Sequence, residues 1–262
     1  MTLAEIIILI VAGILVGFIN TLAGGGSIIS LSLLMFLGLP ANVANGTNRI
    51  AILIQNIGAV GSFKQQKVLD HKKGFWLAIP ATIGSVVGAW IAIDVNEDII
   101  EKAIAIVMLV MMVVILYKPQ RWLKGQIDLQ DKKVSFWQIV LFFIIGIYAG
   151  FLHMGVGYAL LAGIVLGAGY DLVKANAIKV LIILIWSPIT LLIFIMNDQV
   201  NFAYGITLAV GNFTGALIAS RMAVKKGAAF IRWVIIAVIL ITAAQVFGLI
   251  DFSAFLQFKA HE

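Results

Sequence analysis

One pattern occurs twice in this chain and constrains its fold more than any other feature. An apolar helix with a G-x-x-x-G step leads to a polar residue, breaks at clustered glycines and resumes as a short apolar segment. The first copy, over residues 13–38, has Asn20 before its break, and the second, over residues 146–168, has His153. Paired, glycine-interrupted hydrophobic segments in two halves of a chain are typical of transporters and point to the binding site.

The composition around these breaks excludes an ordinary soluble domain. Of the 262 residues, 62% are hydrophobic and only 11% are charged, whereas a soluble domain has about 25% charged residues. Several apolar runs reach the roughly 20 residues that cross a bilayer as a helix. These runs are continuous and do not alternate as the strands of a membrane barrel do. The sequence therefore predicts an all-α polytopic membrane protein, with the lipid bilayer as its first partner.

The hydropathy of the sequence predicts ten apolar segments, five in each half. They cover residues 3–23, 27–38, 44–63, 75–93, 98–117, 135–152, 155–168, 176–196, 202–220 and 229–248. Glycines and Ala-Asn pairs recur between the halves at a shift of about 130 residues. We therefore predict a first repeat over 1–117, a cytoplasmic linker over 118–134 and a second repeat over 135–262.

The loop charges predict how the two repeats are oriented. Lysine and arginine are concentrated in three loops, at 64–74, 118–134 and 221–228. Such loops lie on the cytoplasmic side, whereas the turns at 94–98 and 197–201 are acidic and are expected outside. The matching segments 44–63 and 176–196 then run in opposite directions. The two repeats are therefore predicted to be inverted, with both termini outside.

The second segment of each glycine-broken pair is too short to cross the membrane alone. Residues 27–38 form a helix of about 18 Å at ~1.5 Å per residue, against a hydrocarbon core of about 30 Å. We therefore predict that the pairs 3–38 and 135–168 break inside the membrane, as re-entrant pairs bent back near the midplane. Exposed backbone there is tolerated only where it is buried in protein or lines a polar cavity.

Two cationic side chains lie inside apolar segments at matching places, Arg49 and Lys179. A charge within the membrane costs at least about 2.5–3.5 kcal/mol, so such residues are usually functional. The alternative is that each side chain extends to the nearer interface. By helical spacing, Asn45 shares a face with Arg49 and Asn176 shares one with Lys179. The alternative for these amides is hydrogen bonding between packed helices.

Together these residues predict a binding site for a small inorganic or organic anion. Helix N-termini at the breaks present free N–H groups and a partial positive charge, and every Asp and Glu lies in a loop or at a segment end. The alternative for the glycines is close packing alone. His153 either contacts substrate or is a neutral core histidine. The candidate substrate-binding residues are Asn20, Gly24, Gly25, Gly26, Ser27, Asn45, Arg49, His153, Gly155, Gly157, Asn176 and Lys179.

Other classes of function find little support. There is no H-E-x-x-H or G-x-S-x-G motif, so we expect no enzyme, catalytic residue, metal or cofactor. The net charge of +6 lies in loops between spans and does not indicate nucleic acid. A carrier working by alternating access and a passive anion channel both remain open, and a homodimer is a further candidate assembly.

The motifs also resemble a known family, the sulfite exporter TauE/SafE family. The resemblance rests on G-F-I-N-T-L-A-G-G-G-S at 17–27, L-G-L-P-A-N-V-A-N-G-T-N at 37–48, the basic loop at 64–74 and a weaker echo at 150–179. It implies a permease of the bacterial or archaeal cytoplasmic (inner) membrane that exports sulfite or an organosulfur anion such as a sulfonate. Sulfate, thiosulfate and carboxylates are the alternative substrates.

Overall fold

The computed structural model describes residues 1–93, 126–130 and 134–246. Every regular element in this part is helical, as predicted. The helices are α1 (Leu3–Leu22), α2 (Ser27–Phe36), α3 (Ala41–Gln65), α4 (His71–Ala92), α5 (Ile127–Gln130), α6 (Phe136–Phe151), α7 (Val156–Ala162), α8 (Leu172–Met196) and α9 (Phe202–Val246). The predicted segment 98–117 and most of the predicted linker lie outside the described residues, so the division into two repeats stays a prediction.

Both glycine-broken helix pairs are present where the sequence predicts them. α1 and α6 each begin with a capping box, formed by Thr2 with Glu5 and by Ser135 with Gln138, which satisfies free N–H groups at the helix start. The first pair breaks at Gly24, with φ +93°. The second pair breaks at His153 and Gly155, with φ +58° and +67°. Glycine adopts positive φ without steric cost, whereas His153 is unusual in doing so.

One predicted loop is wrong in its extent. The sequence places a loop at 221–228, but α9 continues through residues 221–226, and the chain deviates from helical geometry only at Gly227 (φ 76°, ψ −175°). The three basic residues of this stretch are Arg221, Lys225 and Lys226. Arginine and lysine are good helix formers, so their charge marks the end of an apolar stretch without ending the helix.

Glycines allow helices from opposite halves of the chain to pack backbone to backbone. α1 packs on α9 where Gly13 meets Gly211, and a Cβ added at Gly13 would lie 3.0 Å from the Gly211 Cα. α6 packs on α4, and a Cβ added at Gly84 would lie 2.9 Å from the Ile147 nitrogen. Such close approach is typical of glycine in membrane helices. Gly84, Gly88, Gly211 and Gly215 all lie at such backbone contacts.

The contacts also fix the relative directions of the central helices. α3 runs antiparallel to α8, because Arg49 lies against Phe194 while Ile52 and Ile183 line one cavity further along. α3 runs parallel to α9, because its start bonds to Asn201 and its end bonds to Ser220. Inverted repeats require matching helices such as α3 and α8 to run in opposite directions, although the repeat relation itself stays a prediction.

The burial pattern is that of a membrane protein. Within the described ranges, α1, α4 and α8 are long and apolar enough to cross a membrane. Large apolar side chains face outward, for example Val11 at 62% exposed and Trp90 at 56%. The interior holds polar and charged side chains such as Asn56 and Lys179, both at 0%. Large apolar side chains on the outside, together with charged side chains buried inside an otherwise apolar core, are not the distribution found in soluble domains.

Candidate functional site

The two glycine breaks meet at one place in the protein. Gly24 lies directly against Gly157, and a Cβ added at Gly24 would be 2.8 Å from the Gly157 carbonyl carbon. Gly25 faces the ring of Tyr158, and its added Cβ would be 2.7 Å from the Tyr158 Cζ. The close approach therefore brings the two predicted half-sites together, one from each half of the chain.

A small cavity lies beside this contact. It is lined by Asn20, Gly24, Ser27, Ile52, Gln55, Asn56, His153, Val156, Gly157 and Ile183. Five of the predicted site residues are in this lining: Asn20, Gly24, Ser27, His153 and Gly157. The volume open to the centre of a water molecule is about 10 Å³, so the cavity has room for about one water molecule. A polyatomic anion therefore requires the cavity to widen.

Buried amides connect the cavity to four helices. The Asn20 side chain accepts a hydrogen bond from the Ser27 N–H at 3.2 Å and donates to the Gln55 carbonyl oxygen at 3.4 Å. Asn212 donates to the same Gln55 oxygen at 3.2 Å. α1, α2, α3 and α9 thus meet in one network. Sequence reasoning missed Asn212, although an asparagine between Gly211 and Gly215 in an apolar segment was a usable signal.

Lys179 lies at the broken end of α1. Its ammonium donates to the carbonyl oxygens of Asn20 (3.0 Å) and Thr21 (2.8 Å) and to the side-chain oxygen of Asn176 (2.6 Å). A lysine has three hydrogens to donate, so each has an acceptor. The two carbonyls belong to the last turn of α1, where intrahelical partners run out and the helix end carries partial negative charge.

Arg49 holds the matching position at the end of α6. Its Nη2 donates to the Gly150 carbonyl, its guanidinium lies 4.3 Å from the centre of the Phe194 ring, and nearby Asn45 donates to the Phe151 carbonyl at 3.2 Å. Within the described structure, its Nε and Nη1 have no hydrogen-bond partner. Arg49 and Lys179 are 2% and 0% exposed, so neither side chain extends to the protein surface.

Unpartnered polar atoms also lie near the cavity. The His153 ring packs edge-on against Trp186, with ring centres 6.0 Å apart. Among the described residues, neither the His153 Nδ1 nor the Trp186 Nε1 has a partner, and the Tyr158 hydroxyl has none either. The sequence analysis missed Trp186 and Tyr158, because nothing local separates them from ordinary apolar core residues.

The remaining predicted residues shape the two breaks. Gly26 precedes α2, and a Cβ added there would be 2.7 Å from the Val16 carbonyl oxygen. Gly155 precedes α7 in the left-handed conformation. Asn176 donates to the Leu172 carbonyl and thereby presents its oxygen to Lys179. The described residues include no group of three His, Asp or Glu that could hold a metal ion.

Comparison with known proteins places this architecture in a family. The model of the family described as sulfite exporter TauE/SafE matches residues 9–246. The probable membrane transporter protein ORF9 of Sinorhizobium sp. is 27% identical over 88% of this chain and 87% of its own length. The probable membrane transporter protein YfcA of Escherichia coli K12 is 29% identical over 91% of this chain and 88% of its own length. No solved structure matches the chain.

Proposed function

Because the chain belongs to the sulfite exporter TauE/SafE family and is a membrane transporter of that family, we propose that it is a permease for a small anion. The first candidate substrate is sulfite or an organosulfur anion such as a sulfonate, and the expected direction is export. Sulfate, thiosulfate and carboxylates are the next candidates. The proposed location is the cytoplasmic (inner) membrane of a bacterium or archaeon, with both termini outside and a homodimer as a candidate assembly.

One observation carries the proposal: two glycine breaks meet beside two buried cations that have no buried carboxylate to neutralise them. Among the side chains that the structure describes, Arg49 and Lys179 are buried and no Asp or Glu is. A positive interior of low dielectric favours an anion strongly, because charge interactions there are less screened than in water. Buried Asn20, Gln55 and Asn56 add hydrogen-bonding groups at the cavity.

The same cavity favours a carrier over a channel. It has room for about one water molecule, so a polyatomic anion can bind there only if the surrounding helices move. Neither cation lines the cavity, but each lies about one helical turn from a lining residue, Arg49 before Ile52 on α3 and Lys179 before Ile183 on α8. Because these two helices are antiparallel, the cations approach the cavity from opposite sides. We propose that the helices open alternately on the two sides of this centre.

Flux measurements in proteoliposomes test the proposal. A carrier gives saturable uptake of radiolabelled sulfite, and unlabelled sulfite inside the vesicle accelerates that uptake by counterflow. A passive channel gives ohmic anion conductance and no counterflow. A thermal-shift screen against sulfite, sulfate, thiosulfate, sulfoacetate and simple carboxylates identifies the anion, because a ligand of the folded state raises its apparent stability. Absence of any response to all of these anions contradicts the proposed substrate class.

A further inference from the structure

The two buried cations are placed alike but bonded differently. Each comes from one half of the chain and reaches the last turn of a broken helix in the other half, since Lys179 on α8 bonds to α1 and Arg49 on α3 bonds to α6. The ammonium of Lys179 has three acceptors within 3.0 Å. In the described structure Arg49 donates to the Gly150 carbonyl and leaves Nε and Nη1 without a partner.

From this difference we infer that the two cations have different roles. Lys179 is a positioning residue that fixes the end of α1, whereas Arg49 is the cation that contacts the anion. The inference rests on the proposed function and deepens it. It assigns the charge contact to one of two residues that the sequence alone treats as equivalent.

Lys179 positions the cavity through Asn20. Its ammonium bonds to the Asn20 backbone carbonyl, while the Asn20 side chain lines the cavity and bonds to Ser27 and Gln55. The last turn of a helix lacks intrahelical donors for its carbonyls, so without Lys179 the buried oxygens of Asn20 and Thr21 lose their charged donor. The end of α1 is then free to shift, and the amide network at the cavity shifts with it.

Arg49 has N–H donors that bond to no acceptor in the described structure. A buried donor without an acceptor destabilises a protein, and Arg49 has two such nitrogens in the described structure. A bound oxyanion would satisfy them, because guanidinium hydrogen bonds to oxyanions are charge-assisted and strong. Arg49 also shares a helical face with Ile52 and Asn56, which line the cavity.

The test compares Lys179→Met and Arg49→Met in purified protein and in proteoliposomes. Lys174→Met is the control for the first, because Lys174 is exposed on the same helix, and Arg221→Met is the control for the second. We expect Lys179→Met to lower the ligand-free Tm and the maximal rate of sulfite uptake but to keep a sulfite-induced rise in Tm, smaller than in wild type because one buried positive charge is lost. We expect Arg49→Met to fold but to lose that rise. Lys179→Arg should recover most of the lost rate, which simple damage to folding would not predict.

Two results overturn the inference. A Lys179→Met protein that keeps its ligand-free Tm but loses the sulfite-induced rise makes Lys179 a ligand, and an unchanged response in Arg49→Met removes Arg49 from the site. If Lys179→Met does not fold, Asn176→Leu replaces it, because that change removes one acceptor of the ammonium; a lost sulfite response there again overturns the inference. If wild type responds to no tested anion, the proposed function and the Arg49 assignment fail together. The ligand-free Tm of the Lys179 variants then decides the positioning role by itself.

Discussion

Replacement of Gly24 by alanine tests the contact on which the site is built. Gly24 has φ +93° and lies against Gly157, so an added Cβ would be 2.8 Å from the Gly157 carbonyl carbon and 3.0 Å from its nitrogen. Those atoms are backbone and cannot rotate away. Gly38 provides a matched control, because it has φ +92° and nothing within 4 Å of an added Cβ.

The difference between the two variants isolates the steric part of the effect. Left-handed backbone costs an alanine about 1–2 kcal/mol, and both variants carry that cost. Overpacking a close contact adds about 1–3 kcal/mol, and only Gly24→Ala carries it. We therefore expect total losses of about 2–5 kcal/mol for Gly24→Ala and about 1–2 kcal/mol for Gly38→Ala.

Thermal unfolding of the purified proteins in detergent measures this difference. At roughly 2–4 °C per kcal/mol, the Tm of Gly24→Ala should lie about 2–12 °C below that of Gly38→Ala. Sulfite uptake should fall in Gly24→Ala and remain near wild type in Gly38→Ala, because only the first change separates the two breaks. Equal Tm values and equal uptake in the two variants would refute the reasoning that the breaks are in contact.

Three further predictions concern individual polar side chains, two of them at the site and one at the start of α4. Trp186→Phe removes the buried indole N–H and leaves a smaller ring in a fully buried position, so the KM for the anion should rise and the Tm should fall; an unchanged KM would mean that this donor does not face the anion. Gln55→Leu and Asn212→Leu should couple by about 0.5–3 kcal/mol in a double-mutant cycle of unfolding free energies, and additive effects would contradict the amide network. Burial alone raises the pKa of Asp70, but hydrogen bonds from the backbone and from Tyr170 outweigh it and lower the pKa. The stabilisation by Asp70 is therefore present above its unfolded pKa of about 3.9 and is lost as the pH falls through the lower folded pKa. Asp70→Asn should flatten the acid limb of a stability–pH profile, and an identical limb would count against this assignment.

The helical segments and the glycine breaks could be predicted because their causes are local. Hydropathy determines which segments enter the membrane, and Gly24 to Gly26 destabilise a helix by about 1 kcal/mol each. The structure therefore ends α1 at Leu22 and begins α2 at Ser27, close to the predicted bounds of 3–23 and 27–38.

The different bonding of the two cations could not be predicted, because it depends on partners far away in the sequence. Lys179 donates to carbonyls about 158 residues earlier in the chain, and Arg49 donates to one about 101 residues later. Matching positions in two halves indicated matching roles, whereas the structure gives one cation three acceptors and leaves the other with free donors. Trp186 reaches the site only through helix packing, for which the local sequence has no clear signature, whereas Asn212 could have been found as a polar residue inside an apolar segment.

The most direct test of the central claim is the uptake of radiolabelled sulfite by proteoliposomes that contain wild type, Arg49→Gln or the control Arg221→Gln. All three proteins are reconstituted at the same protein-to-lipid ratio. Before reconstitution, fluorescence-detected size-exclusion chromatography in detergent verifies that each protein is folded and monodisperse. The proposed anion site predicts saturable uptake in wild type and in Arg221→Gln and loss of that uptake in Arg49→Gln. Equal sulfite uptake in all three proteins would contradict it.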